Sequence, residues 1–364
     1  MTQKRLKPIT LKELSSLLEL SQSTVSRIVN GEADKYRIAR ETQQRVLQAA
    51  ALHGYTANTV ARSLRNKRSY TVGVIVPEIS EGYSTAVLGG IEDELLKDGF
   101  FYLVVSHRHR PDLLKGYPRM LLSRSVEGII AVDTAIEEDL PVPLVSVSGH
   151  QHREGVINIE LDHGQAAQLA LSHLQELGHR EIAFIKGQAF SSDTNRRWHA
   201  IVEEAKALGI TIHAELVVQL RSTEPGPGPG TEVTWQLLQA KRPFSALFAF
   251  NDVTAMGAIL ALREAGLRVP KDVSVVGFDD VFAASTYNPP LTTIRQPLRD
   301  MGRVAASTLL GLIGDQMPHP HPAVITVYPK LVVRKSTAQA PTHPAGNEGI
   351  SAQRFTAPGL PANS

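Results

Sequence analysis

The chain has 364 residues, 42% of them hydrophobic and 20% charged, which suits two or three globular domains able to bury sizeable cores. It contains no Cys, which excludes disulfides and Cys-based zinc fingers and fits a reducing compartment. The net charge is only +2. It is unevenly spread: 13 basic and 5 acidic residues fall within the first 70, giving +8, against 25 and 31 over the rest, giving −6. A basic head on a mildly acidic body points to a polyanionic partner.

The opening MTQKRLKPIT has no apolar core of the kind a signal peptide needs. No apolar run approaches the roughly 18 residues of a membrane span. The expected location is the cytoplasm, with no membrane partner.

Thr10–Asn30, TLKELSSLLELSQSTVSRIVN, predicts two short helices around a tight corner. The first, Leu11–Leu18, places Leu11, Leu14, Leu17 and Leu18 on one face, and the second carries Val25, Ile28 and Val29 inward. Ser21 is placed to cap the second helix. Its outward residues, Gln22, Ser23, Ser26 and Arg27, are a face without acids that can donate to phosphates or address base edges. A packed helix pair with such a face predicts a helix-turn-helix. A third helix, Glu41–His53, with Val46, Leu47, Ala50 and Ala51 inward and Gly54 as its stop, closes an all-α domain over 1–57. Residues 58–69, NTVARSLRNKRS, predict a short basic linker helix capped by Asn58, too short to be stable alone in water.

From Tyr70 the rhythm changes to buried strands alternating with helices. Thr71–Pro77, FFYLVVS, Gly128–Val132, Pro143–Val147, IAFIK, ELVVQL, ALFAF and Val273–Phe278 are strands. Helices fall between most of them, over Ser84–Lys97, Leu113–Ser123, His163–Leu177, Asn195–Leu208, Thr231–Ala240 and Val253–Ala265. Such alternation means parallel sheets flanked by helices, and so many strands imply two α/β lobes over 70–336. Ligands of such folds sit beyond the C-terminal ends of the strands. The candidates there are Tyr83, Ser84, Arg197, Asn251, Asp252, Asp279 and Asp280. Residues 337–364 are rich in Pro, Ala, Gly and Thr and predict a disordered tail.

TVSRIVNG (Thr24–Gly31), VGVIVPEIS (Val72–Ser80), LGHREIAFIKG (Leu177–Gly187), FNDVTAMGAILAL (Phe250–Leu262), GLRVPKDVSVVGFDD (Gly266–Asp280) and PPLTTIRQP (Pro289–Pro297) occur in that order. With the helix pair and the NTVARSL segment, they resemble the LacI/GalR family of bacterial transcription regulators over residues 9–336. The resemblance implies a body similar to periplasmic sugar-binding proteins: a two-lobed periplasmic-binding-protein-like core behind the helix-turn-helix domain. It also implies a homodimer on a roughly palindromic double-stranded DNA operator, acting as a repressor under control of a small-molecule effector, a carbohydrate. No cofactor is implied.

Carried over position by position, the resemblance makes Gln22, Ser23 and Arg27 base readers and Ser21, Thr24, Ser26 and Asn30 phosphate contacts. Leu64 matches a minor-groove wedge, with Asn58 and Ala61 beside it. Tyr83, Ser84, Arg197, Asn251 and Asp279 match effector contacts, a set suited to pairs of hydroxyls. Asp279 can also cap a helix after its strand.

Three departures stand out. Glu19 occupies the corner where Gly is usual. The loop after Gly31 is about three residues longer than usual. Tyr83-Ser84 stands where two aromatics are common, which argues against a flat aromatic effector.

Other readings have less support. TEPGPGPGTE (Thr223–Glu232) lies between a strand and a helix like a phosphate loop, but lacks Gly-Lys-Ser/Thr and spends N–H donors on Pro, so it reads as a surface loop. His107 and His109 lack a nearby carboxylate or Cys to complete a metal site and read as cleft-rim or surface residues. A sugar receptor without DNA function leaves the basic head unexplained. An enzyme would need a catalytic constellation, and neither GxSxG nor HExxH occurs.

Overall fold

The structure, a computed structural model, describes residues 9–55, 68–79, 82–149, 153–224, 226–240, 242–317 and 320–342. The chain divides into two compact units, Met1–Ser69 and Tyr70–Ser364.

In the first unit Thr10 opens helix α1 (Leu11–Leu17) with a capping box, its hydroxyl accepting the Glu13 N–H while Glu13 accepts the Thr10 N–H at 2.7 Å. Helix α2 (Gln22–Val29) begins at Ser21, whose Oγ accepts the Thr24 N–H at 3.1 Å, as its sequence position predicts. Helix α3 (Arg40–Leu52) packs against α2, and Leu14, Val25, Ile28, Ala33, Val46 and Ala50 form the core. Leu17 is exposed, because the i, i+4 pair Leu14–Leu18 takes the inner face of so short a helix. Leu47 and Ala51 of α3 also face outward.

The corner after α1 is a left-handed C-cap. Glu19 has φ +55°, its N–H reaches Ser16 O at 3.3 Å and the Leu20 N–H reaches Ser15 O at 3.0 Å. The departure from Gly is therefore a strained position rather than a different turn.

The second unit starts with β1 (Thr71–Val76), α4 (Tyr83–Lys97), β2 (Phe101–Ser106), α5 (Pro111–Ser123), β3 (Gly128–Val132), β4 (Leu144–Val147) and β5 (Val156–Leu161). A second lobe follows with α6 (His163–Glu176), β6 (Ile182–Lys186), α7 (Ser192–Ala207), β7 (Val217–Gln219), α8 (Gly228–Gln239) and β8 (Ala246–Ala249). It continues with α9 (Asp252–Glu264), β9 (Ser274–Asp279), α10 (Phe282–Thr286) and β10 (Thr292–Arg295). Helix α11 (Leu298–Ile313) and β11 (Val324–Val327) return to the first lobe, and β12 (Lys330–Val332) to the second. The sheet orders are β11-β5-β4-β3-β1-β2 and β12-β10-β9-β8-β6-β7, parallel except for β12 against β10. The chain thus crosses between lobes after β5, after β10 and after β11.

Several local features differ from the sequence expectation. Helix α11 has apolar residues at Leu298, Met301, Ala305, Ala306 and Leu309, all buried, a helical spacing the sequence reading passed over. It meets α4 backbone to backbone: a Cβ on Gly90 would lie 1.9 Å from Arg299 O, and one on Gly302 2.1 Å from Val87 O. The Pro/Gly segment is not all surface loop. Its end forms the first turn of α8, where Pro is tolerated, and Gly230 lies against the Thr254 backbone of α9. The expected tail begins too early. Thr337 bonds to His173, the Ala338 N–H to Ser274 Oγ and the Ala340 N–H to Leu177 O, so 337–340 are part of the second lobe. Residues 343–364 lie outside the described residues. No described helix is long and apolar enough to cross a membrane.

Replacing Glu19 with Gly removes the left-handed strain, less the extra freedom of Gly in the unfolded chain. The expected net gain for the first unit is about 0.5–1 kcal/mol. Slower hydrogen exchange of the α1 and α2 amides in the full-length variant is the readout; faster exchange would contradict it.

Candidate functional site

Two surfaces collect the expected residues. On the first unit, Ser21, Gln22 and Ser23 are exposed at the start of α2, and Thr24, Ser26, Arg27 and Asn30 are half-buried along it. Ser21 Oγ lies 2.8 Å from both Ser23 Oγ and Thr24 Oγ1, so three hydroxyls gather at the positive end of the helix dipole. Asn30 turns back on its own helix, its Nδ2 donating to Ser26 O at 2.7 Å and to Ser26 Oγ at 3.1 Å. That amide would have to release a bond to reach a phosphate. Asn58, Ala61 and Leu64 lie outside the described residues.

In the second unit the strand ends of the two lobes face each other. Arg197, on α7, is 4% exposed. Its Cζ lies 3.6 Å from the Phe278 ring centroid and 4.4 Å from that of Phe250. Its Nη2 donates to Asp193 Oδ2 at 3.1 Å and its Nη1 to the Phe250 carbonyl, while Nε has no hydrogen-bond partner among the described residues. Asp193 precedes Arg197 by four residues, so one helix face presents both.

Asp279, at the end of β9, accepts from Gln296 Nε2 at 2.6 Å. Burial pushes its carboxyl up to about 7, against the opposing pull of Arg197 and of the Gln296 hydrogen bond. Tyr83 donates to Ser148 Oγ at 2.8 Å across the first lobe. Burial, then the charges of Asp193 and Asp133, hold its phenol well above the ordinary range, so it stays neutral. The lobes are in contact here: Ser192 Oγ donates to Ser148 O at 3.0 Å, and the His109 and Phe190 rings meet at 4.4 Å. A cavity of about 460 Å³ borders this cluster; Asp279 and Gln296 line it with Gly82, Thr85 and Leu298, whereas Arg197 does not.

Tyr83, Arg197 and Asp279 are therefore brought together. Ser84 is buried in the first turn of α4. Asn251 is the N-cap of α9, its Oδ1 accepting the Thr254 N–H at 2.8 Å. Asp279 does not cap the following helix. Asp252 takes the Val281 N–H at 2.8 Å instead, together with Thr293 Oγ1 at 2.6 Å. Burial, reinforced by Asp279, pushes the Asp252 carboxyl up to about 8. Asp280 instead pairs with Arg295 and Arg334, each at 2.6 Å.

Ser148, Ser192, Asp193, Phe250, Phe278 and Gln296 were not singled out from sequence. Only Asp193 had a usable signal there, its i, i+4 spacing to Arg197. In the folded chain Ser148 also has positive φ, as do Asp133, Asp279 and Asp280 at neighbouring strand ends, a strain that no sequence pattern announces. His107 is buried rather than on the surface. It accepts the His109 N–H at Nδ1 and bonds to Thr134 through Nε2, and burial pushes it down to about 4. No metal-binding group of three His, Cys, Asp or Glu exists among the described residues.

Residues 171–337 match the periplasmic binding protein-like domain. The HTH-type transcriptional repressor PurR of Haemophilus influenzae is 31% identical over 343 residues, covering 90% of this chain and 98% of that protein. The Lac repressor dimer bound to operator and the anti-inducer ONPF superposes with TM-score 0.80 at 27% identity, covering 91% of this chain and all of that one. The transcriptional regulator CelR–cellobiose complex superposes with TM-score 0.66 at 26% identity, covering 90% and 99%.

A carboxyl raised to about 7 binds more protons folded than unfolded, so its stabilising share is lost as pH rises through that value. His107, His109, His173 and His179, all lowered by burial, act in the opposite sense, but below their ordinary range. Between pH 6.5 and 8.5 the Asp279 share of stability should fall by about 1 kcal/mol, and that of Asp252, raised to about 8 by burial and in part by Asp279, should fall in the same sense over that window. Chemical denaturation should show a smaller fall over that window in Asp279→Asn than in the unaltered chain; equal falls would mean that Asp279 does not titrate there.

Proposed function

The chain belongs to the LacI/GalR family of bacterial transcription regulators, and from that premise we propose that it is a repressor controlled by a hydroxyl-rich effector, a sugar or sugar derivative, held at the Tyr83–Arg197–Asp279 cluster. It is a regulator and not an enzyme. Its division of labour follows the chain: 1–57 bind DNA, 58–69 form the hinge, and the two-lobed body from 70 onward binds effector and pairs with a second copy.

The observation that carries the DNA half is the outward face of α2. Gln22, Ser23 and Arg27 present an amide, a hydroxyl and a guanidinium without a carboxylate among them, in a head with an excess of eight positive charges through residue 70. In the major groove Arg27 suits a guanine edge and Gln22 an adenine edge, each bidentate contact worth about 1–3 kcal/mol of discrimination. Ser21, Thr24, Ser26 and Asn30 take phosphates. Asn58, Ala61 and Leu64, though outside the described residues, are assigned to the minor groove, with Leu64 as the wedge. A homodimer presents two such heads, hence a near-palindromic operator.

The effector half rests on the chemistry of the cluster. Arg197 keeps an unmade N–H, Asp279 a second carboxylate oxygen, and Tyr83 and Asn251 further polar atoms. Neighbouring hydroxyls satisfy such a set. The Arg197 guanidinium already lies over the Phe250 and Phe278 rings, which disfavours a flat aromatic ligand. An effector shifts DNA affinity only through its differential affinity for the two lobe arrangements.

Selection of duplexes from a randomised library tests the reading. The full-length protein should enrich one near-palindromic motif and bind it with strong salt dependence; failure to enrich any sequence would sink it. Leu64→Ala should weaken binding to that motif and reduce DNA bending. On a panel of mono- and disaccharides at least one should change DNA affinity, and Asp279→Ala should abolish that response while retaining DNA binding. Loss of both activities in Asp279→Ala would mean that the carboxyl is structural.

A further inference from the structure

The lengthened turn between α2 and α3 is folded. The Glu32 N–H bonds to Arg27 O at 2.8 Å, the Arg37 N–H to Asp34 O at 3.0 Å and the Ile38 N–H to Ala33 O at 3.0 Å. Ala33 is buried in the head core, and Asp34 accepts from Gln43 Nε2 at 3.0 Å. This frame carries Tyr36 back over α2. There the Arg27 Cζ lies 3.8 Å from the centre of the Tyr36 ring, and Lys35 Nζ lies 6.0 Å from the same ring.

The contact occupies one part of Arg27 and leaves another open. A ring covers the flat face of a guanidinium, while the five N–H donors point outward in its plane. Among the described residues, none accepts a hydrogen bond or forms an ion pair with that guanidinium. A free arginine side chain must give up many rotamers to make a bidentate contact. One already held by an aromatic face loses less, and its donors are aimed before DNA arrives.

We propose that Tyr36 is a positioning residue for sequence readout, holding the Arg27 guanidinium so that its in-plane donors meet a guanine edge. The inference rests on the reading of α2 as the recognition helix. It extends the specificity determinants beyond that helix, to the turn that follows it. A lid over Arg27 would have the opposite effect: removing the ring would free the guanidinium and sharpen recognition.

The test uses the full-length protein and the duplex it enriches from the randomised library. Arg27→Ala first identifies the base pair, one in each half-site, whose discrimination depends on that side chain. At that base pair Tyr36→Leu should reduce guanine preference about two- to five-fold, the range of an exposed cation–π contact. Preferences elsewhere and the salt dependence should stay as they were. Tyr36→Phe, which keeps the ring, should retain the preference, and Tyr36→Leu should have no further effect on it in the Arg27→Ala background. Tyr36 is 44% exposed, outside the head core, so these variants are expected to fold. The inference is overturned if Tyr36→Leu leaves guanine preference unchanged or raises it, or lowers affinity uniformly with a changed salt slope. It is also overturned if Tyr36→Phe loses as much as Tyr36→Leu. If the unaltered protein enriches no motif, the recognition-helix reading falls and this inference falls with it.

Discussion

A guanidinium taken out of water costs several kcal/mol unless it is paired and hydrogen-bonded, and Arg197 is buried where the two lobes meet. The surroundings answer that cost from several sides. Asp193 supplies the countercharge from the same helix, the Phe250 carbonyl accepts a hydrogen bond, and two phenyl rings cover the guanidinium faces. Among the described residues, Arg197 Nε and Gln296 Oε1, the latter beside Asp279, are buried without a hydrogen-bond partner. A ligand that completes those bonds gains more here than in water, because the alternative partner, solvent, has been excluded.

The same burial explains why the carboxyls around Arg197 are poised rather than simply ionised. Burial pushes Asp279 and Asp252 up to about 7 and about 8; the charge of Asp193 adds to the rise of Asp279, and that of Asp279 to the rise of Asp252. Asp252 is tied to Val281 and Thr293, so it fixes the start of α9 to the turn after β9 and to β10. Asp279 faces Gln296, the first residue of a crossing between lobes. Asp252 and Asp279 thus tie the cluster to the turn after β9 and to a chain segment that joins the lobes.

The first unit obeys a different constraint. Among its described residues only six apolar side chains are buried in a core, and it keeps a strained Glu19 at the turn that orients α2. Caps do much of the local work: Thr10 with Glu13 for α1, Ser21 for α2. Its polar face is held in place by hydroxyl contacts at one end of α2 and by the Tyr36 ring at the other.

Local pattern settled a good deal of this. The Leu14 and Val25 spacings, the Ser21 cap, the strand–helix alternation after Tyr70 and the parallel two-lobed body were all legible, because each depends on residues within one turn or one strand of each other. Asp193 with Arg197 was legible in principle for the same reason. Tertiary structure alone decided which distant groups meet. It put α11 on α4 through Gly90 and Gly302, returned β11 and β12 to different sheets, kept 337–340 on the second lobe, and chose Asp252 over Asp279 to hold the Val281 N–H. It also laid Tyr36 on Arg27. Such contacts span tens to hundreds of residues, or depend on the path of a turn, so they leave no period in the chain; burial, close backbone approach and hydrogen-bond competition select them only once the lobes and helices are packed.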